Sequence, residues 1–139
     1  MPPIRVAMLS AECEPWAKTG GLADVVDALA RALGRRPDDI AAPVDVFLPR
    51  YRSVPVPATL GRATSHRVPD PRSPSGHSEV TVLDVLADGY RLRLVDHPAA
   101  FDRDGFYGDG NGDYADNAWR FGLFCRTALE VLRADGQPL

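Results

Sequence analysis

Lys18, Gly20 and Gly21 stand together in the stretch Lys18-Thr19-Gly20-Gly21-Leu22-Ala23-Asp24-Val25-Val26, and a lysine beside paired glycines suits an anion site. A phosphate can approach glycine backbone closely because no Cβ stands in the way. The first turn of a helix adds amides without partners and the positive end of the aligned peptide dipoles. The order of residues matches neither G-x-G-x-x-G nor G-x-x-x-x-G-K-[ST], because here the lysine precedes the glycines. On these residues alone, a tight turn beside a solvated lysine explains the stretch equally well.

Neighbouring residues extend the chemistry. Asp24 lies three residues after Gly21, where a carboxylate favours the positive helix end with or without a ligand. Glu12 and Glu14 flank Cys13 at the end of an apolar run. Two acids beside an anion site oppose phosphate binding, so they read as loop-shaping residues that can also meet sugar hydroxyls. Trp16 offers a flat face to a sugar or base, or a cover for the core edge, and the two readings balance.

Further along, Asp109-Gly110-Asn111-Gly112-Asp113 opens like a calcium loop. It fails at the sixth position, Tyr114, and at the twelfth, Arg120. Asp102-Arg103-Asp104 is a D-x-D short enough to arise by chance. The acidic cluster reads as a polar loop with Asp113 capping a helix, Asp116 in its first turn, and Arg120 pairing with one of these acids. His66, His77 and His97 lack metal or nucleophile spacing and read as surface residues. Cys13 reads as a partly exposed loop thiol, and Cys125 as a small filler on a buried helix face. Neither a metal nor a cofactor is expected.

The elements that position these residues follow from hydrophobic periodicity. Ile4 to Leu9 is a buried parallel strand, and Leu22 to about Gly34 a helix with Leu22, Val25, Val26, Leu29 and Leu33 as the stripe packed on the sheet. Val44 to Leu48 is the second parallel strand. Residues 53 to 79, rich in Pro, Ser, Arg and His, read as a variable surface loop with at most one short strand near Ala63 to Val68. Glu79 to Leu86 and Tyr90 to Val95 alternate apolar residues and flank Ala87-Asp88-Gly89, which predicts an antiparallel hairpin. A short helical turn begins near Pro98. The last helix runs from Asp113 or Tyr114 to about Ala134, with Ala118, Phe121, Gly122, Cys125, Ala128, Leu129 and Leu132 as its apolar face. The fold class is therefore α/β.

With 139 residues the chain fits one domain. A net charge of −3 gives no general attraction to nucleic acid or anionic membranes. The apolar run near the N-terminus is too short for a signal peptide or a membrane span, which makes the cytoplasm the default.

Three stretches together resemble bacterial glycogen synthases and plant starch synthases. They are Glu12-Cys13-Glu14-Pro15-Trp16-Ala17-Lys18-Thr19-Gly20-Gly21-Leu22-Ala23-Asp24-Val25-Val26; Val46-Phe47-Leu48-Pro49-Arg50-Tyr51; and Phe106-Tyr107-Gly108 through Asp116-Asn117-Ala118-Trp119-Arg120-Phe121. The resemblance implies a Rossmann-like three-layer sandwich, forming part of the N-terminal domain of a two-domain GT-B glycosyltransferase. It implies a retaining enzyme that transfers glucose from ADP-glucose to the non-reducing end of an α-1,4-glucan. By the same resemblance, Lys18, Gly20 and Gly21 meet the diphosphate, and Asp24 and Tyr107 the glucosyl group or acceptor. Thr19, Glu12 and Trp16 stand nearby in lesser roles.

In the family a further strand and a His-Asp-x-His stretch follow, then a nucleotide-sugar domain; this sequence stops at Pro138-Leu139 before reaching them. The expectation is that these 139 residues alone are inactive and contain no certain catalytic residue. The alternatives are a non-catalytic glucan or sugar-phosphate binding module, and an unrelated flavodoxin-sized interaction domain.

Overall fold

The computed structural model describes residues 1–136; Pro138-Leu139, on which the expectation of an early stop rests, lie outside the described residues. Five strands form one mixed sheet: β1 (Ile4–Leu9), β2 (Ile40–Pro49), β3 (Leu60–Pro69), β4 (His77–Leu86) and β5 (Arg91–Asp96), in the order β1-β2-β5-β4-β3. β1, β2 and β5 run parallel, while β4 and β3 add antiparallel strands at one edge. Helix α1 (Gly21–Gly34) carries the chain from β1 to β2, and helix α3 (Asn117–Asp135) closes the described chain. Between β5 and α3 lie the four-residue helix α2 (Pro98–Phe101) and a two-residue hairpin, β6 (Gly108–Asp109) with β7 (Gly112–Asp113).

Adjacent residues on a strand point to opposite faces. In β5, Leu92, Arg93, Leu94 and Val95 are all buried, so both faces of the sheet are covered. Arg93 reaches α3 through Asp135, 2.7 Å away, and α1 covers the other face against β2. The three-layer, Rossmann-like α/β reading therefore holds, and so does the antiparallel pairing of Thr81–Leu86 with Arg91–Asp96.

Several expectations need correction. The presumed loop over 53 to 79 contains β3, a ten-residue strand paired along its length with β4. Its side chains are mostly exposed, as befits a sheet edge, so it lacks the apolar alternation that announces a half-buried strand. The stripe of α1 is also rotated. Ala23, Val26 and Ala30 pack inward, whereas Leu22, Val25 and Leu29 are exposed. Small residues let this helix lie close to the sheet: a Cβ on Gly34 would stand 2.0 Å from the carbonyl oxygen of Gly89.

Helix α3 starts at Asn117, later than expected, with Asp116 rather than Asp113 at the N-cap position. Its buried face is Arg120, Leu123, Phe124, Thr127, Ala128, Val131 and Leu132, which leaves Cys125 and Leu129 outside. Two polar residues sit on that face because the fold satisfies them: Thr127 Oγ1 donates to the Leu123 carbonyl at 2.8 Å, and Arg120 donates to main-chain carbonyls. Cys13, expected to be partly exposed, is fully buried, and burial raises its thiol pKa.

Among the described residues, no helix is long and apolar enough to cross a membrane. At the amino-terminal end of the parallel strands, buried Asp45 accepts from Arg91 at 2.6 Å and from Arg5 at 3.2 Å. Arg93 bridges Asp84 at 3.0 Å and Asp135 at 2.7 Å in the same region. The candidate site lies at the opposite end.

Candidate functional site

Parallel α/β sheets present ligand sites beyond the carboxyl ends of their strands. Here β1 ends at Leu9, and the Ser10 hydroxyl turns the chain by donating to the Glu12 carbonyl at 2.7 Å. The Cys13 amide then donates to the Ala17 carbonyl at 2.9 Å, and a bridge between these residues closes a tight loop. The loop carries the Glu12 carboxylate inward, leaving the residue 5% exposed, and delivers Lys18-Thr19-Gly20-Gly21 to the start of α1.

Glu12 is the centre of the site. Its carboxylate accepts the Thr19 amide at 2.6 Å, the Thr19 hydroxyl at 2.9 Å and the Tyr107 hydroxyl at 2.6 Å. Burial alone would raise its pKa. The hydrogen bonds from Tyr107 and Thr19, with a further one from the Gly20 amide, outweigh burial and hold it below the usual glutamate value. The Tyr107 hydroxyl is pushed up, first by burial and then by its bond to Glu12. The anion nearest the Thr19 and Gly20 amides is thus the protein's own carboxylate. Sequence spacing gave Glu12 a loop-shaping role but carried no signal of its tie to Tyr107, 95 residues away.

Lys18 stands at the mouth with its side chain 45% exposed, between Glu14 at 2.8 Å and Asp24 at 2.7 Å. Hydrogen bonds to Asp24 and Glu14 raise its pKa, and the bond from Lys18 lowers that of Asp24. The ammonium is ion-paired without being buried, and such exposed pairs are readily exchanged for a stronger partner. Gly20 is the N-cap of α1 and makes no side-chain cap hydrogen bond. A Cβ built on Gly20 or Gly21 meets nothing within 4 Å, so the face of this turn is open to a ligand.

Tyr107 is held from behind. The Asn117 amide donates to the Tyr107 carbonyl at 2.8 Å, and Arg120 donates to the Phe106 carbonyl at 2.9 Å, to Asn117 Oδ1 at 2.8 Å and to the Ala100 carbonyl at 2.6 Å. The fully buried Arg120 guanidinium also lies over the rings of Phe101, Tyr114 and Phe121. The expected ion pair between Arg120 and an acid of the loop does not form, because Arg103 takes the Asp116 carboxylate through two 2.7 Å bonds. Tyr51, following β2, stacks on Phe106 with ring centroids 4.2 Å apart and donates to the Ala11 carbonyl at 2.8 Å. Asn117, Arg120 and Tyr51 thus act as structural supports of the site.

Trp16 packs against the core and gives its indole N–H to the Tyr90 hydroxyl at 3.2 Å, which is the covering role of its two alternatives. His66 and His97 are half-buried rather than on the surface: His66 meets the Thr64 hydroxyl at 2.9 Å, and His97 stands edge-on to Trp119. Among the described residues, no cluster of His, Cys, Asp or Glu could hold a metal ion.

The fold and the glycine turn at the strand ends define a Rossmann-like α/β domain, and comparison with known proteins gives its family. The starch synthase catalytic domain family matches residues 5–138, and the chain belongs to it. It is 38% identical over 138 residues to a glycogen synthase of Koribacter versatilis, covering 97% of this chain and 27% of that protein. It is 40% identical over 134 residues to a glycogen synthase of Aromatoleum aromaticum, covering 94% and 26%. The solved catalytic domain of starch synthase IV from Arabidopsis thaliana, bound to ADP and acarbose, superposes with a TM-score of 0.75 at 27% identity, over 97% of this chain and 26% of that one. The chain thus spans about a quarter of the length of the curated relatives it matches.

Proposed function

We propose that this chain forms one wall of the cleft of a GT-B glucosyltransferase, which moves glucose from ADP-glucose to the non-reducing end of an α-1,4-glucan in the cytoplasm. The observation that carries the reading is the joining of the Lys18-Thr19-Gly20-Gly21 turn to Tyr107 through one carboxylate at the carboxyl edge of the parallel strands. The neighbouring starch synthase structure, with ADP and acarbose bound, supports a nucleotide and a glucan as the ligand classes.

In this reading Tyr107 and Asp24 face the glucan or transferred glucose. Lys18 and the open Gly20–Gly21 backbone face the diphosphate as negative charge develops on it. The diphosphate must draw Lys18 away from Glu14 and Asp24, which exposed ion pairs allow. Thr19, bonded to Glu12, sets the turn, and Trp16 backs the loop.

The test is titration of the ¹⁵N-labelled chain with a maltooligosaccharide and, separately, with ADP. Shifts confined to the Glu12–Asp24 and Phe106–Gly108 segments are expected with the oligosaccharide. No shift in either segment with either ligand overturns the reading. The alternative, a glucan-binding module without catalysis, draws on the excess of carboxylates around Lys18. It is preferred if glucan binds while the chain, joined to the remaining domain of a relative, transfers no glucose.

A further inference from the structure

We propose that Glu12 is the positioning residue of this site, coupling the glucan-facing Tyr107 segment to the diphosphate-facing Thr19–Gly21 turn so that the two are set as one unit. This rests on the function proposed above and assigns the link between its two binding elements. The carboxylate joins segments that share no sheet hydrogen bonds: Tyr107 precedes the small β6–β7 hairpin, and Thr19 precedes α1. Both Glu12 oxygens are used. Oε1 receives the Thr19 amide at 2.6 Å, and Oε2 receives the hydroxyls of Thr19 and Tyr107 at 2.9 and 2.6 Å.

These three donors are neutral, so an ionised acceptor strengthens all three bonds together, whereas a protonated one is a weaker acceptor for each. The other titratable groups facing this corner are Tyr51, packed behind it after β2, and Arg120 beyond Tyr51. Lys18 on the same loop is turned toward Glu14 and Asp24 instead. Anything that moves Tyr107, such as a sugar ring stacked against it, therefore acts through Glu12 on the Thr19 amide that opens the anion turn. The acceptor end of the site informs the donor end without a change of fold.

The experiment is a pH titration of the ¹⁵N-labelled chain, read at the amides of Thr19 and Gly20 and at the Tyr107 ring, in the unaltered chain and in Tyr107→Phe and Glu12→Gln. In the unaltered chain all three sites should follow one transition, below the usual glutamate range. Tyr107→Phe, which keeps the ring, should move the transition seen at Thr19 and Gly20 to higher pH. Glu12→Gln should abolish it at every site. A Thr19 transition that Tyr107→Phe leaves in place, or separate midpoints at Thr19 and Tyr107, overturns the coupling. The measurement uses no ligand, so a chain that shows the coupled transition but ignores oligosaccharide and ADP refutes the function and leaves the coupling standing.

Discussion

Arg93, at the centre of the sheet, donates to Asp135 in the last turn of α3 over 2.7 Å, joining residues 42 apart in sequence. The arginine is 1% exposed, and its other carboxylate, Asp84, lies 3.0 Å away. Removing one partner of a buried ion pair strands the other, at a cost of about 3 kcal/mol or more. Asp135→Ala is expected to destabilise the chain by about 3 kcal/mol, the low end of that range, because Asp84 remains to hold Arg93. Urea unfolding checks this, and a change below about 0.5 kcal/mol would show that the pair is no anchor for α3.

Acid should act on the same contact. Burial alone would raise the pKa of Asp135, but hydrogen bonds from Arg93 and Arg5 hold it below its ordinary 3.8. Asp70 is lowered against burial by Ser78 and Trp119, Asp116 is lowered by Arg103, and Glu12 is lowered as described. A carboxyl with a depressed folded-state pKa contributes stability above its unfolded value and loses it as pH falls through the folded one. Stability should therefore hold above the ordinary values of 4.5 for Glu12 and 3.8 for the aspartates, then decline steadily as pH drops further. Thermal melts from pH 7 to pH 2 test the direction, and Asp135→Asn should shrink the decline.

Among the described residues, the outer side of the parallel edge is uncovered. β1 ends the sheet order, its Ile4 and Leu9 are exposed, and beside it α1 exposes Leu22, Val25 and Leu29, with Val25 at 61%. Its one charged residue, Arg5, turns inward to Asp45 and Asp135, so no charge guards the edge. The chain should self-associate as its concentration rises and should bind an apolar dye. Val25→Lys with Leu29→Glu should weaken both effects. Sedimentation velocity giving a sharp monomer at every concentration, without dye binding, would falsify this expectation.

Glucosyl transfer by these residues alone is not expected. Lys18 is a single cation among Glu12, Glu14 and Asp24, which is too little positive charge to stabilise a leaving diphosphate. Assay of the purified chain with ADP-glucose and glycogen should give no ADP release above background. Turnover would mean that the site is complete as it stands. Lys18→Ala should leave the melting temperature unchanged, since both of its ion pairs are exposed.

What the sequence made legible was whatever shows in local pattern. The parallel strand at Ile4–Leu9, the glycine turn into α1 and the Ala87-Asp88-Gly89 hairpin each announce themselves within a dozen residues, although that strand, expected to be buried, lies half-exposed at the sheet edge. β3 was hidden because an exposed edge strand has little apolar periodicity, and the face of α3 was misread because Arg120 and Thr127 are buried only by virtue of carbonyls elsewhere in the fold. The α1 stripe failed for a related reason. Large apolar residues usually mark the inward face, and here Leu22, Val25 and Leu29 lie on the exposed side. The motif residues of the site were visible, but the carboxylate that joins them depends on a contact across most of the chain, which no spacing rule reveals.

The close seat of Gly34 against Gly89 has a mechanical corollary. An α-helix behaves as a stiff rod, and the fourteen residues of α1 put its rear seat about 20 Å from the glycine turn at its front. Enlarging Gly34 by one methyl would lever the rod off its rear bearing, and the misalignment would be delivered to the far tip, where Gly20 and Gly21 wait.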